Sequence, residues 1–392
     1  MHVIALEDQP LSTRGGKETS MLDVCQRLAL RNRKITLLYS RQGDLIEQYN
    51  QFCKATIPVK SLDVDKKRKL TSIYQFLDSL FRVSYQIEIS NQEPTLAYVD
   101  DYKFSLFCSA LAFVRQIPSV VHLRHILPGG FQSKYRLGLK TASHFIAVSH
   151  HTKSLWETTG FMQPHQIDVV YNGIDPNVFQ PTDRLTNMKS KWKIDTDTKI
   201  INYIGRLDPE KDLETLIKAC GLLKQHNQAK FQLLIAGKPV CHPTPEKAEK
   251  YYQSLQQLTM DVGIGERVSF LGHVSSPTSL YQASDITVLP SLNEPFGKTA
   301  IESMASGVPV IASNAGGIPE IMTGEFQRYL YEPQNEQALF KQLSNLLLWR
   351  QEIPGLAEQC RQHVLRHFTI SQTVDNIEKV FTKVANRKRA RF

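Results

Sequence analysis

The sequence predicts two doubly wound α/β domains, and three observations lead there. At 392 residues the chain exceeds what one ordinary hydrophobic core accommodates. Short β-rich runs alternate with amphipathic stretches, the pattern of a parallel sheet covered by helices. The alternation occurs twice, on either side of the Pro- and Asp-bearing stretch Asp175 to Asp183 and a polar segment reaching about Asp197. The expected organisation is an N-terminal domain over 1–180, a C-terminal domain over 181–370, and a final helix over 371–392 that packs back toward the N-terminal domain.

In order, the first series gives strands at His2 to Leu6, Ile35 to Tyr39, Thr95 to Val99, Ser119 to Leu123, Phe145 to Val148 and Ile167 to Tyr171. Between the first two, Met21, Val24, Cys25 and Leu28 recur at helical spacing within Gly16 to Leu30. Leu70, Ile73, Leu77, Leu80 and Phe81 give one apolar helix face behind the basic run Lys66 to Lys69. Such a face suits packing on the first domain or contact with an anionic membrane. The second series reads Lys199 to Ile204, Phe231 to Ala236, Arg267 to Leu271, Ile286 to Pro290 and Pro309 to Ala312. In the closing segment, Ile370 to Arg391, the stripe Val374, Ile377, Val380, Phe381 and Val384 requires a partner surface.

Composition narrows the class. No stretch approaches the roughly 20 apolar residues of a membrane span; the most continuous, Ser105 to Val114, is far too short. Glu7 and Asp8 interrupt the first apolar run, which argues against a secretory signal and for a cytoplasmic protein. Six cysteines without a CxxC pair are expected to be reduced thiols, with neither disulfides nor structural zinc. The +9 net charge divides into 21 cations against 16 anions over residues 1–180, with five further cations in Lys383 to Phe392. Anionic partners follow: a phosphorylated acceptor or the inner face of a membrane, while nucleic acid is not expected.

The most informative stretch runs Ser291-Leu-Asn-Glu-Pro-Phe-Gly-Lys-Thr-Ala-Ile-Glu302. A strand ends near Pro290, a loop carries Glu294, and Gly297 opens a helix that stops at Gly307 before Pro309. A helix N-terminus offers unpaired N–H groups and partial positive charge, so phosphate can sit there. Gly297 lets the backbone approach a ligand without a Cβ. Glu294 and Glu302 flank that anion site, and carboxylates accept hydrogen bonds from sugar and ribose hydroxyls. A nucleoside diphosphate sugar has this layout.

Glu294 and Glu302, set in EPFGKTAIESMASGVPV, resemble the signature of retaining glycosyltransferases of the GT-B fold, family 4 type. The resemblance implies two Rossmann-like domains facing across a cleft. It also implies Glu294 on the donor sugar, Glu302 on the ribose, and the backbone of Phe296, Gly297, Lys298 and Thr299 on sugar and phosphates. It extends over Tyr203-Ile-Gly-Arg-Leu-Asp-Pro-Glu-Lys-Asp-Leu, where Gly205 ends a strand and Arg206 and Lys211 follow. A guanidinium fork and a compact ammonium suit a departing diphosphate, which is the favoured reading; a salt bridge among Asp208, Glu210 and Lys211 is the alternative and could coexist with it.

In the loop Ser12-Thr-Arg-Gly-Gly-Lys-Glu18, Gly15, Gly16 and Glu18 match the family loop that covers the donor phosphates. It is not GxGxxG, and no GxxxxGK[ST] occurs, which disfavours dinucleotide enzymes and P-loop proteins. His122 and His125 flank Arg124 at the end of a strand, where many family members place a histidine near the sugar or acceptor. His122 is the first candidate and His125 the second; Glu18, Arg124 and His125 are expected on the acceptor side. Ser149, Asp175 and Glu320, with the loop Ala315-Gly-Gly-Ile-Pro, read as wall or support. Asp63-Val-Asp65 reads as part of a solvated charge run rather than a metal site.

The functional expectation is transfer of a sugar from a nucleotide sugar to a hydroxyl acceptor (a glycan, a lipid-linked sugar or a small molecule). The configuration is retained, and neither metal nor cofactor takes part. A sugar phosphorylase or epimerase on the same fold, or a non-catalytic nucleotide-sugar-binding protein, are the alternatives.

Overall fold

Strands covered on both faces are apolar at successive positions, because odd and even side chains both enter a core. The structure, a computed structural model, describes residues 1–12, 16–65, 69–90, 92–127, 132–182, 189–190, 192–226, 230–239 and 244–389. Gly15, Lys66 to Arg68, Cys241 and the end of the basic tail lie outside the described residues. The chain forms two units, Met1–Asn172 with Ile370–Phe392, and Gly173–Thr369.

The first unit holds β1 (His2–Leu6), β2 (Lys34–Tyr39), β3 (Ala55–Pro58), β4 (Thr95–Val99), β5 (Ser119–Leu123), β6 (His144–Ala147) and β7 (Ile167–Val169). They form a parallel sheet in the order β3-β2-β1-β4-β5-β6-β7. Val3 and Ala5 enter the core shared with Met21, Val24 and Leu28 of the Gly16–Leu30 helix. Ile4 and Leu6 enter the opposite core with Phe76, Phe107 and Leu111. The helix Ile370–Arg389 covers the first of these faces. Val374, Ile377 and Phe381 are buried there, and Phe381 meets Tyr98 edge-on at 5.1 Å. Its polar side is tied by Arg31 to Asp375 at 2.6 Å, Arg33 to Glu378 at 2.6 Å and Lys383 to Asp168 at 2.7 Å.

The second unit holds β8 (Lys199–Ile204), β9 (Phe231–Ala236), β10 (Val268–Gly272), β11 (Ile286–Leu289), β12 (Val310–Ser313) and β13 (Leu330–Tyr331). Its parallel sheet runs β10-β9-β8-β11-β12-β13. Two strands, β3 and β13, were not among those the sequence predicts. Both are short edge strands; β3 is half exposed and ends in Pro58, and β13 has two residues. Such edges carry little of the apolar pattern that marks a central strand.

The helix Lys69–Gln86 departs from the single apolar face expected of it. Phe76 and Val83 are buried, Ile73 and Leu80 are half-buried, and Leu70, Leu77 and Phe81 are exposed. Asp63 is 29% exposed and paired with Lys134, which donates to its Oδ2 at 2.6 Å, while Asp65 is exposed. Of the five cysteines described, Cys25, Cys108, Cys220 and Cys360 are buried free thiols and Cys53 is half-buried. Burial pushes the Cys53 thiol up to about 12.

Candidate functional site

In an open parallel sheet, ligands gather beyond the strand C-termini where the strand order reverses. The second sheet reverses between β8 and β11, since the chain winds outward through β9 and β10 before returning. The loops after β8 and β11 carry the two informative motifs, and the fold brings them together. Lys211 Nζ is ion-paired with Glu294 Oε2, although 83 residues separate them. The Leu292 amide donates to the Glu210 carbonyl at 2.9 Å. The Thr299 hydroxyl lies 3.4 Å from the Ile204 carbonyl. Lys211 therefore bridges the motifs through Glu294, in place of the alternative of a local salt bridge among Asp208, Glu210 and Lys211.

Each side chain is held by a local device. Tyr203, 2% exposed, donates from its hydroxyl to the Arg206 carbonyl at 2.7 Å. A Cβ on Gly205 would meet that hydroxyl at 2.6 Å, so the turn that aims Arg206 needs glycine. Burial, then the neighbouring Glu294, pushes the Tyr203 phenol well up. Asp208 caps the short turn Pro209–Lys211 by accepting from the Glu210 amide at 3.0 Å. Arg206 is half exposed and 3.8 Å from Asp208.

Glu294 is anchored from behind by the second glycine loop. The Gly317 amide donates to the Glu294 carbonyl at 2.8 Å. Gly316 has φ +63°, and a Cβ there would lie 2.6 Å from the Glu294 nitrogen and closer still to its oxygen. Gly297, at φ 107°, is the N-cap of the helix Lys298–Ala305. Phe296 is buried in contact with Phe368. On this helix, Glu302 accepts from the Tyr281 hydroxyl at 2.9 Å, and Lys298 Nζ stands 3.8 Å away. Burial, then Glu302, holds the Tyr281 phenol protonated. Two carboxylates, three cations and a helix N-terminus thus share one sheet edge.

The first sheet reverses between β1 and β4. Gly16 opens the Gly16–Leu30 helix and is exposed, while Glu18 is buried. His122 is fully buried, its Nδ1 2.7 Å from the Tyr98 hydroxyl. Its Nε2 has no hydrogen-bond partner among the described residues. Burial, then Arg124, holds the imidazole well below its ordinary range, so it is neutral at pH 7. Arg124 donates to Asn172 Oδ1 at 2.6 Å and stands 3.9 Å from Asp100. His125 differs: its side chain is 44% exposed, with Asp101 at 3.7 Å. Of the two histidines, His125 has the more exposed ring, although its Nε2 is itself buried near Asp101.

Ser149 is a buried helix cap that accepts from the Thr152 amide at 3.0 Å, and Asp175 accepts from the Asn177 amide at 2.9 Å. Tyr281, Asp100 and Asn172 were missed by sequence reasoning. An acidic pair directly after β4, at the order reversal, could have flagged Asp100 and Asp101. Nothing in the short helix Thr278–Ala283 pointed to Tyr281.

The family described as glycosyl transferases group 1 matches residues 186–363, and that described as Glycosyltransferase Family 4 matches residues 14–178. An uncharacterized glycosyltransferase of Methanocaldococcus jannaschii is 33% identical over 179 residues, 44% of this chain and 43% of that protein. The N-acetyl-alpha-D-glucosaminyl L-malate synthase of Bacillus anthracis is 28% identical over 250 residues, 64% of this chain and 62% of its own. The chain thus spans roughly half the length of these relatives. The Anabaena protein HepE, solved in complex with UDP and glucose, superposes with a TM-score of 0.80 at 20% identity, covering 97% of this chain and 99% of that one. At that identity the match speaks for the fold, which is GT-B.

Proposed function

We propose that this chain, which belongs to the group 1 glycosyltransferases of family 4, moves a sugar from a nucleoside diphosphate sugar to a hydroxyl acceptor with retention of configuration. The observation that carries the reading is the ion pair between Lys211 and Glu294, which joins the two motifs at the sheet's reversal point. In this reading the diphosphate lies on the first-turn amides of the Lys298–Ala305 helix, within reach of Arg206 and Lys211. Glu294 takes the sugar hydroxyls and Glu302 the ribose hydroxyls. That a protein of the same fold was solved with UDP-glucose supports a nucleotide-sugar donor.

As the glycosidic bond breaks, charge accumulates on the leaving phosphate, and fixed cations stabilise that transition state more than the bound donor. A carboxylate paired with an ammonium is a weak nucleophile, so Glu294 orients the sugar rather than forming an adduct. The acceptor oxygen attacks from the face the phosphate leaves, and the phosphate oxygen takes its proton. In the first unit, the partly exposed ring of His125 is the candidate contact for an acceptor. No metal and no cofactor enter the scheme.

The test is a nucleotide-release screen with UDP-, GDP- and ADP-hexoses and a panel of hydroxyl acceptors. One donor class should release nucleotide in an acceptor-dependent manner, with Glu294→Ala slower by about a hundredfold. No release from any donor, or sugar phosphate formed with inorganic phosphate as acceptor, contradicts the reading.

A further inference from the structure

The helix Lys69–Gln86 carries two apolar faces, and the fold uses one. Phe76 and Val83 are buried, with Phe76 edge-on to Phe107 at 5.2 Å. On the other side Leu70, Tyr74, Leu77, Phe81 and Tyr85 remain 55% to 85% exposed. Spaced every three or four residues, they fall within an arc of about 80° and run about 22 Å along the axis. Scattered exposed apolar residues are ordinary, but a continuous row of five large ones marks a surface that something covers.

Charge identifies the cover. The sequence sets Lys66, Lys67, Arg68 and Lys69 directly ahead of this row. Lys60 Nζ lies 5.7 Å over the Tyr74 ring. Asp78 is the one acidic residue of the helix, and both Lys60 and Arg82 pair with it, at 3.3 and 2.9 Å. Residues 66–86 therefore hold five cations and one anion. A second copy laid on this face would set basic run against basic run. An anionic lipid surface complements both features: cations meet the headgroups, and tyrosines, with apolar rings and polar tips, suit the interface. The helix is not long and apolar enough to cross a bilayer, so it would lie along it.

We propose that the Leu70–Tyr85 row docks this chain on an anionic membrane surface. The test is co-sedimentation of the full chain with phosphatidylcholine vesicles, alone or containing about one third phosphatidylglycerol. Binding is expected to the anionic vesicles only and to weaken in high salt. Leu77→Asp with Phe81→Asp, both at exposed positions, should lower the partition coefficient at least about tenfold. Lys66→Gln with Lys67→Gln should lower it about 30-fold. Both variants should keep the wild-type circular dichroism spectrum and melting temperature. The vesicle assay needs no sugar nucleotide, so its outcome is separate from that of the transfer reaction. Equal binding to neutral and anionic vesicles overturns the proposal, as does undiminished binding by either variant. A wild-type dimer that the Leu77→Asp, Phe81→Asp variant dissolves into monomers also overturns it, in favour of a second copy.

Discussion

Replacing Gly316 by alanine tests how the second glycine loop supports the proposed donor site. The residue has φ +63°, and its Cβ would sit 2.6 Å from the Glu294 nitrogen and nearer still to its carbonyl oxygen. These are backbone atoms and cannot rotate away, so the Glu294 loop must move by about 1 Å. The left-handed conformation costs an L-residue about 1–2 kcal/mol, and overpacking adds about 1–3 kcal/mol. Stability should fall by about 2–5 kcal/mol. The larger effect is on chemistry, since a displacement of about 1 Å can cost about a hundredfold in rate. Gly324→Ala is the control: φ is +60°, yet nothing lies within 4 Å of the added Cβ. It should lose only the conformational part, about 1–2 kcal/mol, and keep full turnover. Thermal melts and steady-state nucleotide release on both variants decide the matter. If Gly316→Ala turns over as fast as Gly324→Ala, the loop does not hold Glu294 in a productive position.

Tyr281→Phe keeps the buried ring but removes the hydrogen bond to Glu302; affinity for the nucleotide sugar should fall about tenfold, with turnover at saturation preserved. Discrimination against donors lacking a ribose hydroxyl should narrow in parallel, as competition binding would show. Arg206 is half exposed, so Arg206→Ala should leave the urea midpoint nearly unchanged while slowing turnover about a hundredfold. Lys211→Ala should lower both, because it strands the Glu294 carboxylate. In the first unit, burial pushes His2 down to about 4, whereas it titrates near 6.5 when unfolded. The unfolded chain therefore binds the proton first, and His2's contribution is full above about pH 6.5 and is lost toward pH 4. His122 shifts in the same direction. Urea unfolding should show at least about 2 kcal/mol less stability at pH 5 than at pH 7.5, and His2→Gln should flatten that slope.

Central strands and the loops after β8 and β11 were legible because their signals are local. Val3, Ile4, Ala5 and Leu6 report burial on both faces by themselves, and Gly297 between Glu294 and Lys298 marks a turn into a helix. What joins distant segments was not legible. The partner of Lys211 lies 83 residues away, and Glu294 is steadied by Gly316, which reads only as a loop glycine. The histidines show the limit of a strand-end argument. Both end the same run, but packing encloses His122 against Tyr98 while the chain leaves the sheet before His125. The Lys69–Gln86 helix misled because Leu80 and Phe81 are adjacent in sequence and divide between its two apolar faces.

The most direct test is a crystal structure of the chain with the nucleotide sugar selected by the release screen. The diphosphate should lie on the amides of Gly297 to Thr299 with Arg206 and Lys211 in contact, Glu294 on the sugar and Glu302 on the ribose. Density for the nucleotide at another place in the second unit, or a fully occupied ligand that touches neither glutamate, would contradict the account.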